Sequence, residues 1–170
     1  NMEERTVHVL VIEDNAGDAR LIREMLADTR GATFDVEHAD RLASGLQVVT
    51  AGGIDAVLLD LGLPDSQGLE TIDTVHDQAP GVPIVVLTAS DDESTAVQAL
   101  QKGAQDYLVK GYVQIYPTLL GRSMRYAIER KRAEEAVRSA HGQTQQLLSS
   151  IPSILIQVNA EGIVTHWNVV

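Results

Sequence analysis

The sequence predicts an α/β fold, a parallel sheet of five strands with helices on both faces. Three observations point there. Short β-branched runs alternate five times with amphipathic stretches at helical spacing. Three of the runs are almost continuously apolar, as central strands covered on both faces must be. Each run is separated from the next by enough chain for the right-handed crossover that parallel neighbours require.

The runs are Val7–Ile12, Thr33–His38, Ile54–Leu59, Val82–Leu87 and Ala104–Val109, and the first, third and fourth are the continuously apolar ones. Between them, residues 15–28, 40–51, 68–79 and 91–102 carry apolar side chains three and four apart, as in Ala19, Ile22 and Leu26 or Ala96, Ala99 and Leu100. After Pro117 the chain runs to Ser150 without another proline, rich in helix formers and charge pairs. It reads as one long exposed helix that starts as the fifth helix of the first domain and continues beyond it. A heptad seam through Ala133, Val137, Ala140, Thr144, Leu147 and Ile151 would make that helix a coiled-coil homodimer. Its small and polar members, with Gly142, suit a solvated helical linker equally well. Residues 151–170 read as two strands joined by a tight turn at Asn159–Gly162.

Charge follows the same divisions. Residues 1–117 hold 20 acidic and 7 basic side chains, residues 118–150 hold 3 and 6, and the whole 170-residue chain has a net charge of −11. The expected units are therefore a domain over 1–120, a helical linker over 118–150 and a fragment over 151–170. Such acidity repels phosphate backbones and excludes nucleic acid as a direct partner. With no cysteine, disulfide and thiolate chemistry are absent. No apolar stretch approaches the roughly 20 residues needed to cross a bilayer, so neither a membrane span nor a signal peptide is expected. Asn1 ahead of Met2 reads as a residue left by expression.

In an open parallel sheet, ligands bind beyond the carboxyl ends of the strands. Glu13 and Asp14 follow the first run, Asp60 the third, Thr88 the fourth and Lys110 the fifth. Three carboxylates gathered in one cleft repel and call for a hard cation, for which Mg²⁺ with its preference for a few carboxylates, waters and phosphoryl oxygens is suited. A metal beside an aspartate, with a lysine and a hydroxyl opposite, stabilises a transferring phosphoryl group. Asp60, ending the central strand, is the natural acceptor. Each residue also has a plainer reading. Asp14 with Asn15 can cap the first helix, Thr88 with Asp91 can form a turn and cap the fourth, Asp60 can be turn chemistry, Tyr107 a half-buried strand aromatic and Lys110 a solvated strand end. Their meeting at four strand ends favours the functional reading. The five histidines lack ligand spacing and read as structural or exposed.

The segments VLVIEDN, VLLDLGLPDSQGLE, PIVVLTAS and GAQDYLVKG, in this order and spacing, resemble the receiver domain of two-component response regulators over about residues 5–120. The resemblance implies a flavodoxin-like fold in the cytoplasm. It implies phosphorylation of Asp60 by a histidine kinase or histidine phosphotransfer protein, with Mg²⁺ held by Glu13, Asp14, Asp60 and the Gly62 carbonyl. It further implies contacts from Thr88 and Lys110 to the phosphoryl oxygens, and Tyr107 as an aromatic switch that follows Thr88. One departure is Gly111, where the family usually has a proline after the lysine. The last 25 residues resemble the opening of a PAS domain, a partial PAS hairpin. The order receiver, helix, PAS resembles the front of a larger signalling protein, a sensor histidine kinase or a cyclic-di-nucleotide enzyme. By itself this segment would be a phosphoacceptor with at most slow loss of its own phosphoryl group. Two other functions fit the residues: a phosphate-independent interaction module, and a phosphatase using an aspartyl phosphate. The latter would want a carboxylate two residues after the nucleophile, where Gly62 stands.

Overall fold

The structure, a computed structural model, describes residues 5–150, 155–158 and 164–168, with side chains through residue 145. The chain divides into two compact units, Asn1–Lys131 and Arg132–Val170. In the first, the chain runs β1 (Thr6–Ile12), α1 (Ala16–Ala27), β2 (Thr33–Ala39), α2 (Leu42–Ala51), β3 (Ala56–Leu59), β4 (Gly62–Leu63), β5 (Ser66–Gln67), α3 (Glu70–Gln78), β6 (Ile84–Thr88), α4 (Glu93–Gln101), β7 (Asp106–Val109) and α5 (Lys110–Ile115), and then enters α6 (Thr118–Ser150). Five strands form one sheet in the order β2-β1-β3-β6-β7, every neighbouring pair parallel. This is the predicted α/β sheet.

Pleat alternation divides each central strand between two cores. Val9 and Val11 of β1, Leu58 of β3 and Val85 and Leu87 of β6 face a core closed by Ile22 and Leu26 of α1 and Leu120, Met124 and Ile128 of α6. Leu10, Ile12, Val57, Leu59 and Val86 face the other, closed by α2, α3 and Ala99 of α4. β3 and β6 are buried at every position, which is why their sequence shows no alternation. β2, at the sheet edge, alternates exposed and half-buried side chains.

Four local features differ from the sequence expectation. The chain after β7 turns at once into the short helix α5, ends it at Tyr116 and only then starts α6. α6 is not exposed along its length: Leu120, Ser123, Met124, Ala127 and Ile128 are buried. At Gly121 it crosses the end of α1 so closely that a Cβ would stand 2.3 Å from Thr29 Oγ1. On α4, Leu100 was expected inward with Ala96 and Ala99, but it is 49% exposed, beside Val97 at 48%, and Ala99 alone is fully buried. A side chain smaller than leucine lets that helix lie close on the sheet. Its cap is Asp92, not Asp91: the Asp92 carboxylate accepts from the Thr95 amide at 3.0 Å.

In the second unit, β8 (Leu155–Val158) and β9 (Val164–Asn168) pair antiparallel, with an irregularity between Gln157 and Val158. The predicted turn at Asn159–Gly162 lies outside the described residues, as does Ile151 of the proposed seam. Val137 of that seam is 71% exposed. Among the described residues no helix is long and apolar enough to cross a membrane.

Candidate functional site

The chain leaves β1 toward β2 on one side and returns through β3 toward β6 on the other, so the sheet order reverses between β1 and β3. Crevices open at the carboxyl ends of strands on either side of such a reversal. Ile12 and Leu59 pair in register, and the next residue of each strand is Glu13 or Asp60. The ladders extend one step further: the Glu13 amide donates to the Ala39 carbonyl at 2.9 Å and the Asp60 amide to the Ile12 carbonyl at 3.0 Å. Both carboxylates are thereby held on backbone that cannot shift without breaking the sheet.

One carboxylate oxygen each from Glu13, Asp14 and Asp60 lies within 4.8 Å of the others. Glu13 is 2% exposed, Asp60 is buried and Asp14 is open to solvent. Lys110, at the start of α5, reaches over this cluster. Its Nζ stands 2.7 Å from Glu13 Oε2, 2.9 Å from Asp18 Oδ2 and 3.4 Å from Asp60 Oδ2. Burial pushes the Glu13 carboxyl above the usual carboxylate range, and Asp60's charge adds to this against the bonds from Lys110 and the Asn15 amide. Burial also works to lower the Lys110 pKa, but the bonds to Glu13 and Asp18 and the charge of Asp60 outweigh it and hold the ammonium above the ordinary lysine value.

The other sequence-predicted residues take their places around this core. The Gly62 amide donates to Asp60 Oδ1 at 3.3 Å, which sets Gly62 immediately beside the Asp60 carboxylate. Thr88, buried at the end of β6, accepts from the Ser90 amide at 3.4 Å. Tyr107 Oη donates to the Ser90 carbonyl at 3.0 Å, so the aromatic and the hydroxyl meet on one loop. Burial pushes the Tyr107 phenol up, and the nearby Asp92 charge adds to it.

One participant, Asp18, does not stand out in the sequence, because an acid in the first turn of a helix is ordinary dipole complementation. Its position one turn beyond Asp14 on α1 is the signal that would have found it. His38 Nε2 lies 2.7 Å from the Glu13 carbonyl oxygen and steadies the backbone behind the acidic pair, a structural role as expected for the histidines.

The residue set fits a hard divalent cation: carboxylate oxygens only, one of them solvent-facing, converging within ion-binding distance. Among known proteins, the response regulator receiver domain model matches residues 9–115. The KDP operon transcriptional regulatory protein KdpE of Escherichia coli strain K12 is 38% identical over 105 residues, 62% of this chain and 45% of that protein. The regulatory protein LuxO of Vibrio cholerae is 35% identical over 100 residues, 59% of this chain and 21% of its own length. The chain therefore spans less than half of these curated relatives. A response regulator receiver domain protein from Clostridium thermocellum superposes with a TM-score of 0.65 at 26% identity, covering 75% of this chain and 98% of that structure. A sensor protein from Polaromonas sp. JS666 gives 0.64 at 26% identity, covering 74% and 98%. The family match stops at residue 115, so the β8–β9 pair gains no support from it as the opening of a PAS domain. The matched span holds β2, β3, β6, β7, the carboxyl-terminal half of β1 and every residue of the acidic cleft, and the chain belongs to the response regulator receiver domain family of two-component signalling.

Proposed function

We propose that this chain is a phosphoacceptor switch in which Asp60 receives a phosphoryl group from a phosphohistidine of a histidine kinase or histidine phosphotransfer protein. The observation that carries the reading is Lys110, an ammonium within reach of both Asp60 and Glu13 across a cleft of converging carboxylates. In the transfer an Asp60 carboxylate oxygen attacks phosphorus as the phosphorus–nitrogen bond breaks, and the imidazole leaves with the electron pair and takes up a proton. Glu13, Asp14, Asp60 and the Gly62 carbonyl would hold Mg²⁺, which when bound neutralises the carboxylates and the oxygens of the transferring group.

Phosphorylation replaces the single carboxylate charge of Asp60 with close to two charges on the phosphoryl oxygens, a net gain of about one. Lys110 supplies a counter-charge, and Thr88 a hydroxyl drawn to the new oxygens. Because the Ser90 amide and carbonyl hold Thr88 and Tyr107 respectively, movement of Thr88 is felt by Tyr107. Output would then pass from the α4–β7–α5 surface along α6, as a homodimer or as a single helical linker, to a PAS domain and whatever effector follows it in the cytoplasm.

The test is intact-mass measurement after incubation with Mg²⁺ and acetyl phosphate. The wild-type chain gains the mass of one phosphoryl group and Asp60→Asn gains none. Equal labelling of the two proteins would remove Asp60 from this role.

A further inference from the structure

The ammonium of Lys110 has a partner that phosphoryl transfer does not call for. Asp18 Oδ2 lies 2.9 Å from Lys110 Nζ, nearer than Asp60 Oδ2 at 3.4 Å. An ammonium has three donors, and Glu13, Asp18 and Asp60 together account for three. The backbone that carries Asp18 is fixed: its amide donates to Asn15 Oδ1 at 3.0 Å in the cap of α1, and Ala19 and Ile22 of the same helix are buried. The lysine is 15% exposed and shares a narrow cleft with Asp18, Ile22, Leu87 and Val113, whose apolar walls strengthen the pairing.

We propose that Asp18 is a positioning residue that draws Lys110 back from Asp60 and so restrains phosphoryl transfer to this site. The inference rests on the reading of Asp60 as the acceptor. To reach oxygens on a phosphoryl group at Asp60, Lys110 must release one of its present partners. Glu13 and Asp60 belong to the cation-binding set, whereas Asp18 lies outside it and keeps its full pull on the lysine when the others are neutralised. Without the Asp18 charge the ammonium stays in the cleft, because Glu13 and Asp60 still hold it, and it moves toward Asp60.

Acetyl phosphate with Mg²⁺ tests this on the full chain. In that reaction the bond from Asp60 oxygen to phosphorus forms as the phosphorus–oxygen bond to acetate breaks, and acetate leaves with the electron pair. Asp18→Asn keeps an oxygen acceptor but loses the charge, and is expected to raise the initial labelling rate roughly three- to tenfold, the scale on which contacting residues couple. Asp18→Glu restores the carboxylate and returns the rate toward wild type. In a Lys110→Met background Asp18→Asn has no further effect, because the residue acts through the lysine. A second readout needs no phosphodonor: the Lys110 side-chain ammonium resonance in nitrogen-15 spectra shifts on Asp18→Asn.

An unchanged rate in Asp18→Asn with normal labelling of wild type overturns this proposal alone. So does an acceleration that persists without Lys110, since it would assign the effect to charge acting at a distance. Failure of wild type to label at all overturns the acceptor reading, and this proposal with it.

Discussion

The two packed faces of the sheet and its carboxyl edge are made from the same strands by opposite means. Up to Ile12 and Leu59, β1 and β3 bury apolar side chains on both sides, with Val9, Leu10, Val57 and Leu59 all at 0% exposure. One residue later each strand carries a carboxylate, Glu13 or Asp60, that is buried almost as deeply. Apolar burial lowers the free energy of the fold. Carboxylates crowded within 4.8 Å of one another raise it, and Lys110 offsets only part of the repulsion. Stability therefore resides in the faces, and the edge gathers charge at a cost that the faces offset.

The sharpest way to break this contrast is to compare one substitution from each region. Leu58 is 1% exposed in the core beneath α1 and α6. Leu58→Ala is expected to lose about 3 kcal/mol of unfolding free energy in urea titration, from lost transfer energy and the cavity left behind. Asp60→Asn is expected to move the other way, gaining about 1 kcal/mol in the absence of divalent ions, because one of the mutually repelling charges is gone. Millimolar Mg²⁺ should stabilise the wild type and shift Asp60→Asn less, since the ion binds the folded state through the missing carboxylate. If Asp60→Asn unfolded as readily as Leu58→Ala, the edge would be part of the structural core and the contrast would fail.

The same division decides what could be read in the sequence. The faces were legible: VLVI, AVLL and IVVL have no polar interruption because both sides are covered, and their ends marked Glu13, Asp60 and Thr88 directly. Strand ends are local, so residues that act from them need no knowledge of the tertiary fold. Asp18 acts across 92 residues of sequence on Lys110, and nothing in the pattern AGDARLIREMLA distinguishes it from an acid that merely complements the helix dipole. The helix α5 was hidden for a related reason. KGYVQI contains a glycine and β-branched valine and isoleucine, a poor helix by propensity, and it forms where Val113 is buried against the sheet. Leu100 misled in the opposite direction, since apolar spacing on α4 does not say which of three neighbouring residues reaches the core.

A smaller effect tests whether the edge is held by anything besides the sheet. Arg41, the N-cap of α2, makes no side-chain cap, and the first amides of the helix are instead satisfied from the turn between β4 and β5. The Asp65 carboxylate accepts from the Leu42 amide at 2.8 Å and from the Ala43 amide at 2.9 Å, tying the segment that follows Asp60 to the N-terminus of α2. The Ala43 and Leu42 amides hold the Asp65 pKa below its ordinary 3.8. A carboxylate lowered by folding stabilises the native state fully above its unfolded pKa, and that stabilisation is lost as pH falls through the lower folded value. Asp65→Ala should therefore lower the thermal midpoint by a constant small amount at pH 6–8, with the gap closing as pH drops below 3.8. A gap independent of pH would mean that the alanine acts on the turn conformation and not through the lost cap. A closing gap would show that the loop carrying Gly62 is braced by α2 as well as by β3, so that the edge has an anchor of its own outside the apolar faces.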